Sequence, residues 1–264
     1  MKTVLVTGAY GGMGRAAAQL LRDRGYRVFA LDRNIGGAEE GIIPVRADIT
    51  DADDVERAFL EVQSHTDHLY AILHFAGIYM LDSLAEIEET EIGRIFEVNL
   101  MGAYRINRVF LPLLKEGSRI LITTSELAVL DPLPFTGIYA VTKAALDRYA
   151  YSLAMELQLL DIRVSVLRAG AVDTGMLGVS TDALDRFCEK TRLYSCNAGR
   201  FRNIVGRVEA RCIPPEKLAR KAASILEKKH PAFAYSINRN PLLLLLNALP
   251  ERIQLAAIRM ILKE

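Results

Sequence analysis

The 264-residue chain has little that would bind it to a polyanion, a membrane or an oxidising compartment. Lysine plus arginine number 33 and aspartate plus glutamate 32, so no net field draws the protein onto nucleic acid or anionic lipid, and small molecules or other protein chains are the expected partners. The three cysteines, Cys188, Cys196 and Cys212, are odd in number and lack CxxC spacing, which supports neither a disulfide framework nor a metal site. They read as reduced thiols. No apolar run approaches the roughly 20 residues that span a bilayer. The run Leu242 to Leu246 is far too short, and the N-terminal MKTVLVTGAY meets turn-forming glycines at once, as a strand does and a signal-peptide core does not. A cytoplasmic location is therefore expected. Repeats, low-complexity tracts and composition breaks are also missing, so one domain over 1–264 is the economical reading.

What is present alternates. Short β-branched runs stand at Thr3 to Thr7, Arg27 to Leu31, Ile42 to Arg46, Leu69 to His74, Arg119 to Thr123 and Arg163 to Leu167, separated by longer helical patterns. Parallel strands need right-handed crossovers and cover on both faces. The unbroken apolar character of VLV, AILHF and RILI fits an α/β fold with a doubly wound parallel sheet of the Rossmann type. Residues 175–213 break the rhythm and read as a long excursion over one sheet edge, a place where binding function usually resides.

The first strand runs into TGAYGGMG, Thr7 to Gly14, and then a helix. Glycines there let backbone approach a pyrophosphate, and a helix N-terminus offers free N–H groups, so Gly8, Tyr10, Gly11, Gly12, Met13 and Gly14 are candidate dinucleotide contacts. Asp32 ends the next strand. A carboxylate there can accept from both adenosine ribose hydroxyls and repels a 2′-phosphate, which favours NAD over NADP; Arg33 beside it can lie over the adenine or pair with a 2′-phosphate. Further on, GIYAVTKAA places Tyr139 and Lys143 one helical turn apart on one face. A phenol titrates near pH 10 and works as a base at neutral pH only beside a positive charge, which Lys143 could supply.

A TGxxxGxG turn, an Asp after the second strand, an NxxG, a strand-end Ser and a YxxxK together resemble the short-chain dehydrogenase/reductase family over roughly the first 175 residues. The resemblance implies hydride transfer between NAD, with NADP the lesser expectation, and a secondary alcohol or ketone. It implies that Asp48 and Ile49 of RADITD hold the adenine, and that Ala76 and Gly77 of HFAG line the adenosine ribose where the family often has NNAG. His74 then reads as a structural residue. Asn99 of NLMG would hold a water in a proton relay. In RAGAVDT, Gly170, Val172 and Thr174 would hold the nicotinamide carboxamide, with Ala169 replacing the usual proline and loosening the turn. Ser125 would fix the substrate oxygen, Tyr139 would move the proton, and Lys143 would depress the phenol's pKa and bind the nicotinamide ribose. Ser125 lies fourteen residues before Tyr139, so a one-residue slip would put Glu126 in its place; Thr124 is the other substitute.

The C-terminal third bears on the substrate. Met176, Leu177, Phe187, Leu193, Tyr194 and Phe201 either line a lipophilic pocket or bury the excursion against the body. A helical pattern at Ala219 to Lys229 precedes an apolar segment at 239–264, which is expected to cap the pocket, form a subunit interface or touch a membrane surface. It resembles the tails of steroid and retinoid dehydrogenases. A lipophilic alcohol or ketone is thus the expected substrate, with a 3-oxoacyl thioester reductase and a non-catalytic dinucleotide-binding protein as the other readings. The family resemblance also implies a homodimer or homotetramer through helices near Thr90 to Lys115 and Ile138 to Leu160.

Overall fold

A computed structural model of the chain describes residues 1–37, 39–208 and 212–263, and the side chains of these apart from 175–182 and 203–208. In chain order the elements are β1 (Thr3–Thr7), α1 (Gly12–Asp23), β2 (Arg27–Asp32), β3 (Ile42–Arg46), α2 (Ala52–His65), β4 (Leu69–His74) and α3 (Glu89–Phe96). A π-helical turn (Glu97–Met101) leads into α4 (Gly102–Phe110), followed by β5 (Leu114–Ser125), α5 (Gly137–Leu157), β6 (Arg163–Ala169), α6 (Gly175–Lys190) and α7 (Ser195–Val208). The chain ends in α8 (Pro215–Glu227), β7 (Ala234–Ile237), α9 (Pro241–Asn247) and α10 (Glu251–Leu262).

The strands form one seven-stranded sheet in the order β3-β2-β1-β4-β5-β6-β7, and every pairing is parallel. Both faces are covered, which is why β1 is buried along its whole length. Successive side chains alternate faces: Val4 and Val6 pack with Ala17, Ala18 and Leu21 of α1 and Ala219 and Ala222 of α8, whereas Leu5 joins Val55, Ala58, Ile106 and Ala150 on the other side. Alanines on α1 and α8 let those two helices approach closely under the first layer.

Three expectations need correction. The helix read as reaching Lys115 gives way to strand at Leu114, because β5 extends back to pair with Leu69. A seventh strand, Ala234–Ile237, lies in the tail; its half-exposed sequence AYSI carries too little alternation to announce an edge strand. The excursion after Gly175, where the sequence breaks the strand–helix rhythm, contains two helices. The turn lacking proline is not loosened. Ala169 continues β6, in register with Ser125 on one side and Ile237 on the other, where a proline would have withheld a ladder N–H. Among the described residues no helix is long and apolar enough to cross a membrane.

His74 ends β4 fully buried, its Nε2 2.8 Å from Asn107 Oδ1. Burial holds the imidazole neutral and brings its pKa down to about 4. A depressed histidine leaves stability intact above about pH 6.5 and removes it as pH falls towards 4, by about 3 kcal/mol. His74→Asn, which keeps a donor for Asn107 but cannot charge, is expected to flatten this acid limb; urea unfolding at pH 4.5 and 7 measures it, and an unchanged limb would discard the assignment.

Candidate active site

Because the strands are parallel, β1, β2, β4, β5 and β6 all deliver their carboxyl ends to one edge, and the candidate residues collect there. Gly8 leaves β1 with φ +66°, and a Cβ on it would lie 2.6 Å from the Ala76 nitrogen. A Cβ on Gly12 would lie 2.7 Å from that of Thr174. Only bare backbone can therefore form this cradle. The N-terminus of α1 carries no side-chain cap and no acidic residue in its first turn, so its N–H groups remain open to an anion.

The cradle is one wall of a groove of about 1250 Å³. Gly8, Tyr10, Gly11, Gly12, Met13, Gly14, Asp32, Arg33, Asp48, Ile49, Ala76, Gly77 and Thr174 all line it. Asp32 is held in place by two backbone donors, Tyr10 N to Oδ2 at 3.0 Å and Asn34 N to Oδ1 at 3.2 Å. Asp48 is fixed by Thr50, whose amide and hydroxyl both donate to Oδ1, at 2.9 and 2.7 Å. The groove offers free N–H groups for a pyrophosphate and a carboxylate for a ribose, so the residues present fit a nicotinamide dinucleotide.

Opening from the same wall, with Met13, Phe75, Gly77, Ile78, Tyr79 and Thr174 shared, is a smaller chamber of about 220 Å³. Ser125, Tyr139, Lys143, Gly170 and Val172 line this chamber. The Ser125 hydroxyl bonds the Tyr139 phenol and accepts from Leu127 N at 3.2 Å. Thr124 is removed as a substitute, since its hydroxyl donates to Asp147 Oδ1 at 3.1 Å. Lys143 is buried, and its Nζ reaches the Thr123 carbonyl at 3.4 Å.

Asn99 sits outside both cavities, behind Gly77. Its Nδ2 donates to the Ile78 carbonyl at 3.0 Å and to the Thr142 hydroxyl at 3.1 Å, while Oδ1 accepts from Ile78 N at 2.8 Å. The amide thus latches the β4 exit to α5, and the π-helical turn that carries it interrupts the regular i→i−4 pattern. Gly170 also departs from expectation: its N–H donates to the Ile237 carbonyl at 2.9 Å, so it shapes the turn and offers no amide to a ligand. Val172 differs. Ala171 O and Asp173 N make the bonds to Ile213, which leaves the Val172 peptide groups turned away from that bridge.

Burial governs the acid–base groups. The Tyr139 phenol is pushed up to about 12 by desolvation, only partly offset by Ser125, and the Lys143 ammonium is brought down to about 8. The expected depression of the phenol by Lys143 does not occur; Nζ stands 5.7 Å from the ring centroid, and burial dominates. Tyr139 therefore keeps its proton at neutral pH.

The excursion residues divide between the two expected roles. Phe135, in a left-handed conformation just before α5, is packed by Phe187, Tyr194 and Phe201 at 4.4, 5.1 and 5.1 Å between centroids. Those three bury the excursion; Phe187 also lines the larger groove, Leu193 is 66% exposed, and the side chains of Met176 and Leu177 lie outside the described ones. Apolar lining of the inner chamber comes instead from Met13, Phe75, Tyr79, Leu127, Leu133 and Leu243. Leu243 on α9 makes the apolar segment a cap on the chamber, while Leu242 and Leu245 stay exposed. Sequence reading had no signal for which leucine of five would turn inward, nor for the Ile78 latch, which uses backbone.

A dinucleotide groove on a doubly wound sheet, opening into a chamber with a serine, a tyrosine and a lysine, defines a class of nicotinamide-dependent oxidoreductases. The family model described as short chain dehydrogenase matches residues 2–185, and the chain belongs to that family. It is 33% identical over 179 residues to the uncharacterized oxidoreductase YbbO of Escherichia coli, covering 66% of each chain. It is 32% identical over 197 residues to mouse estradiol 17-beta-dehydrogenase 2, covering 70% of this chain and 51% of that one. Matches thus span about two thirds and half of these relatives' lengths. The 3-ketoacyl-(acyl-carrier-protein) reductase of Brucella melitensis, solved with NADH, superposes with a TM-score of 0.73 at 25% identity, covering 89% of this chain and 96% of that one.

With Tyr139 protonated to about 12, Lys143 is the member of the pair whose charge is lost as pH rises through about 8. The rate at saturating reduced cofactor is expected to fall above pH 8. A profile flat to pH 10 would remove Lys143's charge from the mechanism.

Proposed function

We propose that the protein transfers hydride between NAD and a secondary alcohol or ketone carried on an apolar molecule. The observation that carries this reading is the convergence of Ser125, Tyr139 and Lys143 in one small chamber that shares a wall with the glycine cradle. A bound nicotinamide dinucleotide would supply or accept the hydride. Ser125 donates to the substrate oxygen and orients it. Tyr139, protonated and bonded to Ser125, delivers a proton to that oxygen in reduction and recovers it in oxidation. Lys143 keeps a positive charge beside the chamber and binds the nicotinamide ribose, and Asn99, in its π-helical turn, holds the water through which the proton leaves. Asp32 favours NAD, since its carboxylate accepts from ribose hydroxyls and repels a 2′-phosphate. Val172 and Thr174 hold the carboxamide.

The apolar lining supports a lipophilic substrate, of which the chamber's about 220 Å³ takes the reacting end. Relatives named for such molecules include the estradiol dehydrogenase and a 3-ketodihydrosphingosine reductase of Bacteroides thetaiotaomicron, 24% identical over 87% of this chain. A 32% identical relative, the 3-oxoacyl-[acyl-carrier-protein] reductase MabA of Mycobacterium avium, is named for a 3-oxoacyl substrate. The protein acts in the cytoplasm as a homodimer or homotetramer.

Tyr139→Phe is expected to lower turnover about 10²- to 10⁴-fold, the range of a general acid, while the NAD dissociation constant stays within about threefold. Cofactor absorbance and calorimetry measure the two; wild-type turnover in the variant would refute the role. Parallel titration should show tighter binding of NAD than of NADP, and Asp32→Ser should narrow the difference. A wild-type preference for NADP would overturn the reading of Asp32.

A further inference from the structure

Glu126 follows Ser125 directly and is buried beside it in the inner chamber. Apolar surroundings make this an expensive place for a carboxylate, and one oxygen alone is compensated: Oε2 accepts from the Asn240 amide at 2.7 Å. Oε1 has no hydrogen-bond partner among the described residues. It lies on the Gly170 side of the chamber, 3.2 Å from the point a Cβ on that glycine would take, a point the Asn238 carbonyl oxygen already fills at 1.8 Å. Arg239 acts on the carboxylate only at longer range, and burial raises its pKa. Glu126 thus brings to the chamber lining a carboxylate with one oxygen bonded to Asn240, one residue from the Ser125 hydroxyl.

We infer that Glu126 is a specificity-determining residue that recognises an ammonium group on the carbon next to the reacting one, so that the substrate is a vicinal amino alcohol or amino ketone with an apolar chain. The inference rests on the hydride-transfer reading for the word substrate, but the subsite binds on its own. Ser125 and Tyr139 hold the oxygen, Glu126 holds the nitrogen, and the chain leaves between Leu133 and Leu243. A cation suits this site better than a neutral donor, because it neutralises the buried charge as well as filling the open acceptor. Recognition at two points would also fix which face of the substrate carbon meets the cofactor.

Three octanols of equal length separate the alternatives: 1-amino-2-octanol, 1,2-octanediol and 2-octanol. Their dissociation constants are measured by calorimetry on the full chain, and their oxidation is followed with NAD. The amino alcohol should bind about tenfold or more tightly than either neutral compound, the size of a charge-assisted hydrogen bond. In Glu126→Gln, whose amide oxygen can still accept from Asn240, the ratio should fall to about one, which a purely structural role would not produce. Equal binding of amino alcohol and diol in the wild type, or a ratio that survives in the variant, overturns the assignment. The wild-type ratio decides even if the variant does not fold. Preferential binding without oxidation of any of the three would leave Glu126 standing and sink hydride transfer instead.

Discussion

Everything at the site depends on the register of a parallel sheet. Thr7 lies opposite His74 and His74 opposite Ile122, while Ser125 lies opposite Ala169 and Ala169 opposite Ile237. Residues more than 160 positions apart in the chain thus end their strands at one edge, where each connection can turn across the opening. A slip of one residue would send every strand side chain to the opposite face. The glycine cradle is a consequence of the same constraint: the β1 and β4 exits come so close that only a bare backbone fits between Gly8 and Ala76.

Burial is the second constraint, and it moves the two ionisable groups in opposite directions for one reason. Low polarity disfavours charge, so the phenol rises to about 12 and the ammonium falls to about 8, reversing their separation in water. At neutral pH this leaves a neutral tyrosine beside a lysine that still carries its charge. The chamber can then provide a proton and a fixed positive field together. His74 obeys the same rule on the far side of β4, where neutrality lets it bond Asn107 and join the core.

The C-terminal third closes the site by several small contacts. Glu126 meets the amide of Asn240, whose own side chain caps α9 by accepting from Leu242 N at 3.0 Å, and Asn247 at the other end accepts from Asp131 N at 2.6 Å. Helix α9 is thereby fixed at both ends with Leu243 inward. Under the floor, Asp147 pairs with Arg168 through two bonds of 2.9 and 2.7 Å and accepts from Thr124, tying the helix of Tyr139 and Lys143 to both strands beneath it. Asp147 continues the same helix face, four residues beyond Lys143.

Much of this was written locally. The alternating strands, the TGAYGGMG turn, Asp32 and the YxxxK spacing are short-range patterns, and steric and periodic rules convert them directly into a doubly wound sheet with a dinucleotide groove and a tyrosine–lysine pair. The edge strand β7, the inward turn of Leu243, the commitment of Gly170 to Ile237, the latch from Asn99 to Ile78 and the pairing of Asp147 with Arg168 were decided only by tertiary structure. Each joins positions distant in the chain through backbone groups or through one side chain among several equivalent neighbours. The direction of the Tyr139 shift belongs with them, because it depends on how much water reaches the phenol, and no spacing of residues along a helix contains that quantity.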